Sequence, residues 1–254
     1  TPTAVVTANQ KATTGTTTAA DTVVDASGNI YVIGNATGNF GSQLNQGSQD
    51  SYLTKYDSAG NVVWQKLLGS AGTANGNGLA LDPSGGVIVT GSTTADVVPG
   101  SVANGNEDSF VARYDASGNQ MWIKQIQTLA NNRSNAVSVD ASGNIYIGGS
   151  VSGYPIANPV GGQTSIPGGV IGAHQTAQGG VDAYLAKFDS KGNLLSENQF
   201  GTSGDDQVAA TATGTDGSLY VASVQNGQAI VSKYANGDIT SAPVWSQSLG
   251  ALQA

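Results

Sequence analysis

The chain has 254 residues, of which only 10% are charged, and 17 acidic residues against 9 basic ones give a net charge of −8. Nucleic-acid binding needs a clustered positive surface, so this balance argues against nucleic acid as a partner and equally against an anionic membrane surface. The absence of cysteine excludes disulfides and cysteine-ligated zinc. No apolar run approaches the ~18 residues of a membrane span, which predicts no membrane insertion. The chain begins at Thr1 without a visible signal peptide, which predicts a processed or excised segment.

The predicted elements begin with a strand-like segment in residues 3–12. Four repeats follow, and each contains four short β-rich runs bounded by Gly, Asn, Asp and Ser, a pattern typical of strands. We call the four strands of a repeat a, b, c and d. In the first repeat they are predicted at Thr22–Asp25, Asn29–Gly34, Ser51–Asp57 and Asn61–Gly69. Strand a of the later repeats is predicted at Leu79–Asp82, Ala136–Asp140 and Val208–Thr213.

A turn of the form Asp-x-x-Gly-Asn connects strand a to strand b and strand c to strand d. Its glycine is predicted to adopt the positive φ of a tight hairpin turn, and its aspartate is predicted to cap the turn through the side chain. The glycine of the a–b turn recurs at Gly28, Gly85, Gly143 and Gly217. The wider last interval predicts an insertion at about residues 150–181 within an unbroken repeat register.

Most aromatic residues occupy fixed positions of the repeat. Strand d carries Trp64, Trp122 and Trp245, with Ser196 in the third repeat. Strand b carries tyrosine at a fixed position in three repeats, with isoleucine in the second: Tyr31, Ile88, Tyr146 and Tyr220. Aromatic residues that recur in register are predicted to pack between consecutive sheets.

These features predict an all-β fold, a β-propeller built from four-stranded antiparallel blades. We expect one domain over residues 1–254, with blades at about 20–70, 75–128, 133–201 and 206–250, and with residues 1–19 as an N-terminal strand or closure segment. Four blades are visible. Either one blade gains an extra strand where the ring closes, or the four blades belong to a larger ring.

The repeated phrases resemble the bacterial SBBP-type beta-propeller repeat family. That family's unit is matched by Asp25–Gly34 with Asp50–Asp57, by Asp140–Gly149 with Asp182–Asp189, and more loosely in the second repeat. The fourth repeat departs from it, because Gly214 and Ala235 replace the turn aspartates. The resemblance implies a propeller fold and no single activity. Since many members are surface or exported proteins, it implies an extracellular, cell-surface or periplasmic location.

The alternation of strand direction places the a–b and c–d turns on one face and the b–c and d–a connections on the other. The second face carries the long connections Asn35–Gln49, Ser92–Glu107 and Ser150–Val181, and we call it the long-loop face. Long loops on a rigid scaffold commonly bind partners. The candidate binding residues on this face are Phe40, Asp50, Glu107, Asp108, Tyr154, His174 and Asp182.

Each candidate also has a purely structural interpretation. Phe40 and Tyr154 would either stack on a sugar or peptide or pack within their loops, and His174 lacks the neighbouring ligands of a metal site. The aspartates before strand c recur in register, as do the basic residues Lys55, Arg113, Lys187 and Lys233 inside strand c. Such recurrence favours a structural ladder of charges and hydrogen bonds.

No metal, cofactor or catalytic residue is assigned from the sequence. The repeated turn aspartates suggest calcium loops, but the alternate positions that would supply further ligands hold Ser, Ala or Lys, so turn capping is the preferred interpretation. No nucleophile elbow, phosphate loop or His-Glu-x-x-His motif occurs.

The predicted function is a non-catalytic binding or assembly module of an exported bacterial surface or appendage-associated protein, which engages protein or glycan through the long-loop face. The alternatives are a carbohydrate-active hydrolase or lyase that uses acidic residues on that face, and a structural spacer that self-associates.

Overall fold

The fold is all-β, as the repeats predict. The structure, a computed structural model, describes residues 15–98, 107–126, 131–152 and 179–251. These residues form four antiparallel sheets of four strands each, with the strands of every sheet in chain order, and one short 3₁₀ turn at Ala235–Gly237. Four-stranded antiparallel sheets in sequence are the blades of a β-propeller. Within the described ranges, none of the helical structure has the length and apolarity needed to cross a membrane.

The blades follow one another without interruption of the a, b, c, d order. The first contains β1 (Thr17–Val24), β2 (Ile30–Ala36), β3 (Asp50–Tyr56) and β4 (Val62–Leu68). The second contains β5 (Ala74–Leu81), β6 (Val87–Thr93), β7 (Asp108–Tyr114) and β8 (Gln120–Ile126). The third contains β9 (Asn132–Val139), β10 (Ile145–Ser152), β11 (Val181–Phe188) and β12 (Leu194–Phe200). The fourth contains β13 (Asp206–Thr213), β14 (Leu219–Gln225), β15 (Gln228–Tyr234) and β16 (Trp245–Ala251).

Strand a begins earlier than the sequence predicts in every blade. In the first blade, for example, it starts at Thr17 rather than at Thr22. The added residues are small or polar and show no apolar alternation, because each strand a lies against strand a of the next blade, where space is limited. A Cβ atom on Gly76 of β5 would collide with Ser51 Oγ and would lie 2.6 Å from Ile33 Cγ1. Because this close packing requires small side chains, the first residues of strand a lack the alternation of apolar and polar residues that usually marks a strand.

The Asp-x-x-Gly-Asn turns have the predicted geometry. Asp57 Oδ1 accepts hydrogen bonds from the backbone N–H groups of Ala59 (2.9 Å) and Asn61 (2.8 Å), and Asp57 Oδ2 accepts one from Asn61 Nδ2 at 2.9 Å. Gly60 adopts a φ of 85°. The side-chain amide of Asn61 is the main cause that lowers the pKa of Asp57. The same bonds recur at Asp25, Asp115, Asp140 and Asp189. Turn capping is thus confirmed as the role of these aspartates.

The strand pairing confirms the predicted aromatic register. The tryptophan of strand d lies opposite the basic residue of strand c in the first, second and fourth blades, in the pairs Lys55–Trp64, Arg113–Trp122 and Lys233–Trp245. In the third blade Lys187 pairs with Ser196. The strand b residues Tyr31, Ile88, Tyr146 and Tyr220 lie opposite the same basic residues on the other side.

These side chains connect each blade to the c–d turn of the next blade. Trp64 Nε1 and Lys55 Nζ both donate to the backbone oxygen of Ala116, at 3.1 and 3.0 Å. Trp64 also covers Gly118, where a Cβ atom would lie 2.8 Å from Trp64 Cδ2. The predicted ladder is therefore a set of hydrogen bonds between blades.

The second junction repeats this contact, and the third keeps the hydrogen bond of the basic residue. Trp122 Nε1 and Arg113 Nη1 donate to Ser190 O at 3.2 and 2.7 Å. At the third junction Lys187 Nζ donates to Gly237 O at 3.3 Å. Behind each set of hydrogen bonds lies an apolar cluster that both blades share. Each blade thus packs on its successor through a basic residue and a shared apolar cluster, and a tryptophan adds a hydrogen bond at the first two junctions.

Replacing Trp64 by serine tests this contact with a residue that the third blade naturally has at the same position. Trp64→Ser removes one hydrogen bond and an aromatic side chain packed on Gly118, so we expect a loss of about 2 kcal/mol in the free energy of unfolding, measured by urea denaturation. Met121→Ser, at an exposed position of β8, is the control and should change stability little. Equal losses for the two variants would contradict a special role for the tryptophan.

Candidate functional site

The candidate site is the long-loop face, at the end of the sheets opposite to the Asp-x-x-Gly-Asn turns. Its described parts are the connections 37–49, 69–73, 94–98, 201–205 and 226–227, together with residues 107, 131 and 179–180. Tyr154 and His174 lie outside the described residues, and their predicted contact with a ligand stays a prediction.

Three of the predicted residues, the aspartates that begin strand c, are buried. Asp50, Asp108 and Asp182 are at most 2% exposed. Asp108 Oδ2 accepts from Gln125 Nε2 at 3.0 Å, and Asp182 Oδ2 accepts from Gln199 Nε2 at 2.7 Å. The two glutamines share one register position of strand d, so the contact is part of the repeat. These carboxylates fix the ends of the long loops; a direct contact between any of them and a ligand remains untested.

The first blade holds its aspartate differently. Leu67 takes the place of the glutamine, and Asp50 Oδ2 instead accepts from the backbone N–H of Gln46 at 2.8 Å. Burial is the main cause that raises the pKa of Asp50. The aspartate therefore binds the b–c loop of its own blade.

Glu107 joins the second blade to the third. Its carboxylate accepts hydrogen bonds from Arg133 Nε at 3.0 Å and Nη2 at 2.8 Å, and from Ser92 Oγ at 2.6 Å. Its backbone N–H donates to Asn131 Oδ1 at 3.0 Å. The hydrogen bond with Glu107 is the main cause that raises the pKa of Arg133. Among the described residues, this carboxylate is thus bonded to Arg133 and Ser92 of the scaffold.

Phe40 packs inside its loop, which is one of the two alternatives that the sequence left open. Its ring stacks on Tyr52 with centroids 4.6 Å apart and an angle of 16° between the planes, and its side chain is 1% exposed. Val97 holds the corresponding place in the second blade and packs against the cluster between the first two blades. The position is therefore apolar in both blades, and the larger ring stabilises the b–c loop of the first blade.

The b–c loop of the first blade is held on both sides and exposes one apolar residue. Gln43 Nε2 donates to Gln65 O at 2.7 Å, and Gln43 Oε1 accepts from Leu67 N at 2.7 Å. Asn45 Nδ2 donates to Ala36 O at 3.4 Å. Between these two anchors, Leu44 is 73% exposed. The sequence analysis missed Leu44, whose only signal was an isolated apolar residue in a polar loop.

The described residues offer no metal site on this face. Among them, no group of three or more His, Asp or Glu side chains lies close enough together to hold a metal ion. The predicted carboxylates Asp108, Asp182 and Glu107 are bound to neighbouring amides or to Arg133. Asp96 and Asp205, in the connections 94–98 and 201–205, are exposed. The arrangement can present a shaped surface to a partner, and it holds the three predicted carboxylates in fixed positions.

Glu197 differs from the carboxylates above because it is buried and its pKa is strongly raised. It lies in β12, one residue after Ser196, and its side chain is largely buried in the third blade. Burial raises the pKa of Glu197 to about 7. At neutral pH a substantial fraction of this group is therefore protonated in the folded protein.

Comparison with known proteins supports the fold and gives no family assignment. No protein family profile matches the chain. The chain is 30% identical over 229 residues to the regulatory protein FlaEY of Caulobacter vibrioides, a match that covers 84% of this chain and 22% of that protein. The chain therefore spans less than a quarter of this relative.

One solved structure is similar in fold, and a second matches more weakly. The polysaccharide lyase Uly1 matches 92% of this chain and 50% of its own length, with 12% identity and a TM-score of 0.52. The Dos1 propeller matches 92% of this chain and 59% of its own length, with 9% identity and a TM-score of 0.41. At such low identity, the likeness to the lyase concerns the fold alone.

The raised pKa of Glu197 predicts a specific dependence of stability on pH. The folded protein binds this proton more tightly than the unfolded chain, whose glutamate has a pKa near 4.5. Stability from this group is therefore complete below pH 4.5 and falls as the pH rises to about 7, by roughly 3 kcal/mol in total. Glu197→Gln should abolish this fall, as measured by urea denaturation across that range.

The matched control is Glu107→Gln, which removes the ion pair with Arg133 and leaves Glu197 in place. This variant should keep the wild-type fall in stability between pH 4.5 and 7. If the difference between the wild type and Glu197→Gln did not change with pH, the buried glutamate would not be the group that titrates.

Proposed function

We propose that this propeller is a non-catalytic binding or assembly module of an exported bacterial surface or appendage-associated protein, and that it engages protein or glycan through the long-loop face. The observation that carries the proposal is the b–c loop of the first blade, which presents Leu44 to solvent from a fixed position. A loop that is ordered before binding loses little conformational entropy when a partner arrives.

The b–c loop of the first blade has more structure than a connection between two strands requires, which favours a role in binding a partner. A plain connection between two strands needs a few residues, whereas residues 37–49 fold back and bond to the edge strand β4. The stacked pair Phe40–Tyr52 supports the loop from below. An apolar side chain above such a support is suited to contact an apolar patch of a protein or the face of a sugar ring.

Three of the acidic residues predicted for this face are already bonded within the scaffold. A glycoside hydrolase needs two carboxylates that both reach the substrate. Asp108 and Asp182 are buried and bonded to glutamines, and Glu107 is bonded to Arg133 and Ser92. The alternative of a carbohydrate-active hydrolase or lyase therefore draws no support from these residues.

The comparisons support a module within a larger protein. The relative in Caulobacter vibrioides is named a regulatory protein, and the chain matches less than a quarter of it. We propose that this propeller likewise serves as one part of a longer protein, with an extracellular, cell-surface or periplasmic location. Membership of the SBBP-type repeat family belongs to the same proposal, supported by the repeated turn and strand c motifs.

The test is binding of the purified chain to an array of bacterial cell-surface glycans and to a panel of purified bacterial surface proteins. For any ligand captured, Leu44→Asp should weaken binding by about tenfold, because a charge replaces an apolar contact at the centre of the loop. Deletion of residues 155–178, which the sequence assigns to the same face, should abolish capture and leave the circular dichroism spectrum of a β protein.

The matched control is Met121→Asp, which places the same charge at an exposed apolar position of β8, away from the loops. This variant should bind as the wild type does. Binding that survives both loop changes would refute the assignment to the long-loop face, and turnover of a polysaccharide would favour the hydrolase or lyase instead.

A further inference from the structure

A chain of side-chain hydrogen bonds crosses the long-loop face from the first blade to the third. Gln49 Nε2 donates to Asn75 Oδ1, and Asn75 Nδ2 donates to Ser92 Oγ at 3.5 Å. Ser92 Oγ donates to Glu107 Oε1 at 2.6 Å, and Arg133 completes the chain with two hydrogen bonds to the same carboxylate. Because three blades contribute, the scaffold fixes the position of the guanidinium group.

Arg133 lies where the blades converge. It is the second residue of β9, and β9 contacts β5 and β13, the strands a of the two neighbouring blades. The blades of a propeller surround a central channel, and strands a of successive blades form its wall. The same register position holds Asn75 in the second blade and Gln207 in the fourth. The wall is therefore polar at this level in three consecutive blades.

The ion pair uses only part of the hydrogen-bonding capacity of its two side chains. Arg133 donates from Nε and Nη2, and its Nη1 amino group has no hydrogen bond to the described residues. From the same part of the chain, Glu107 Oε1 accepts two hydrogen bonds and Oε2 accepts one, so Oε2 keeps an acceptor site. The side chain of Arg133 is 53% exposed and that of Glu107 is 18% exposed. An open donor group thus lies next to an open acceptor.

Asn131 adds a second open donor beside the pair. Its Oδ1 accepts from the backbone N–H of Glu107 at 3.0 Å, which fixes the side chain. Its Nδ2 donates to none of the described residues, and Asn131 is exposed. The cluster of Arg133, Glu107 and Asn131 therefore presents donors and an acceptor together.

The charges of this cluster favour a neutral ligand. An anion would approach the Glu107 carboxylate and a chain with a net charge of −8, and a cation would approach the Arg133 guanidinium. A hydroxyl group donates one hydrogen bond and accepts others, so it can donate to Glu107 Oε2 and accept from Arg133 Nη1. A protein partner would instead need an apolar or aromatic anchor at the centre of its interface, and this cluster is polar throughout.

We propose that the cluster of Arg133, Glu107 and Asn131 binds a neutral sugar residue of a glycan through adjacent hydroxyl groups. The inference rests on the proposed function and assigns a ligand class to the channel end of the long-loop face. The loop that carries Leu44 is bonded to β4, the strand farthest from the channel, so Leu44 and Arg133 belong to separate parts of this face.

The test is binding of the purified chain to an array of neutral glycans built from glucose, mannose, galactose and their N-acetyl derivatives, with polygalacturonate as the acidic comparison. We expect the wild type to bind a neutral glycan and not polygalacturonate. Isothermal titration calorimetry with an oligosaccharide of the bound glycan then gives the dissociation constant. Arg133→Leu should raise it about tenfold, because the donors of Nη1 are lost.

The matched control is Lys191→Leu, which changes the net charge equally at an exposed position of the c–d turn of the third blade, on the opposite face. This variant should bind as the wild type does. Arg133→Lys keeps a positive charge beside Glu107 and removes the planar fork, so it should also weaken binding. Circular dichroism spectra that match the wild type establish that weaker binding does not come from unfolding.

Three results would overturn the inference. Binding to none of the neutral glycans, or to polygalacturonate alone, excludes a neutral sugar; capture of a bacterial surface protein by the same preparation would still support the proposed function. Glycan binding that is unchanged in both Arg133 variants places the site elsewhere, and its loss in Leu44→Asp would leave the proposed function intact. Capture of a protein, but of no glycan, that depends on Arg133 identifies a protein ligand instead.

Discussion

The structure depends on one backbone oxygen per junction. A carbonyl oxygen has two lone pairs, and Ala116 O uses both, one for Trp64 and one for Lys55. Its position is fixed by the Asp-x-x-Gly-Asn turn, in which the aspartate holds three donors. The turn, the tryptophan and the basic residue therefore form one unit at the first two junctions. The third junction lacks both the tryptophan and the turn aspartate, and it keeps the base Lys187.

The blade contacts at the turn end recur in register, whereas the loops at the other end differ from blade to blade. The long-loop face needs only a fixed starting point for each loop, and the buried aspartates of strand c supply it through Gln125 and Gln199. Beyond that point the loops are built differently: Phe40 stacks on Tyr52 in the first blade, and Glu107 binds Arg133 of the third blade in the second. An anchor that recurs between blades, followed by loops that differ, suits a scaffold for recognition.

Much of this architecture could be predicted from the sequence, because residues that recur in register define strand pairing. The pairs Lys55–Trp64 and Arg113–Trp122 follow directly from the repeats. The start of strand a could not be predicted, since close packing at its first residues requires small side chains and removes the apolar alternation. The acceptor of the tryptophan N–H could not be predicted either, because every residue has a backbone oxygen and the sequence does not indicate which one is used. In the fourth blade the turn lacks its aspartate, yet Asn236 and Gly237 adopt positive φ and Gly237 O still accepts from Lys187.

The first blade differs from the next two at one register position of strand a. Thr22 is exposed, whereas Leu79 and Val137, at the same register position of the next two blades, are buried against the preceding blade. The Thr22 hydroxyl donates to Tyr31 O at 2.9 Å, so its polar group is satisfied within its own blade. A hydrogen bond within the blade thus occupies a position where the later blades gain stability from buried apolar surface.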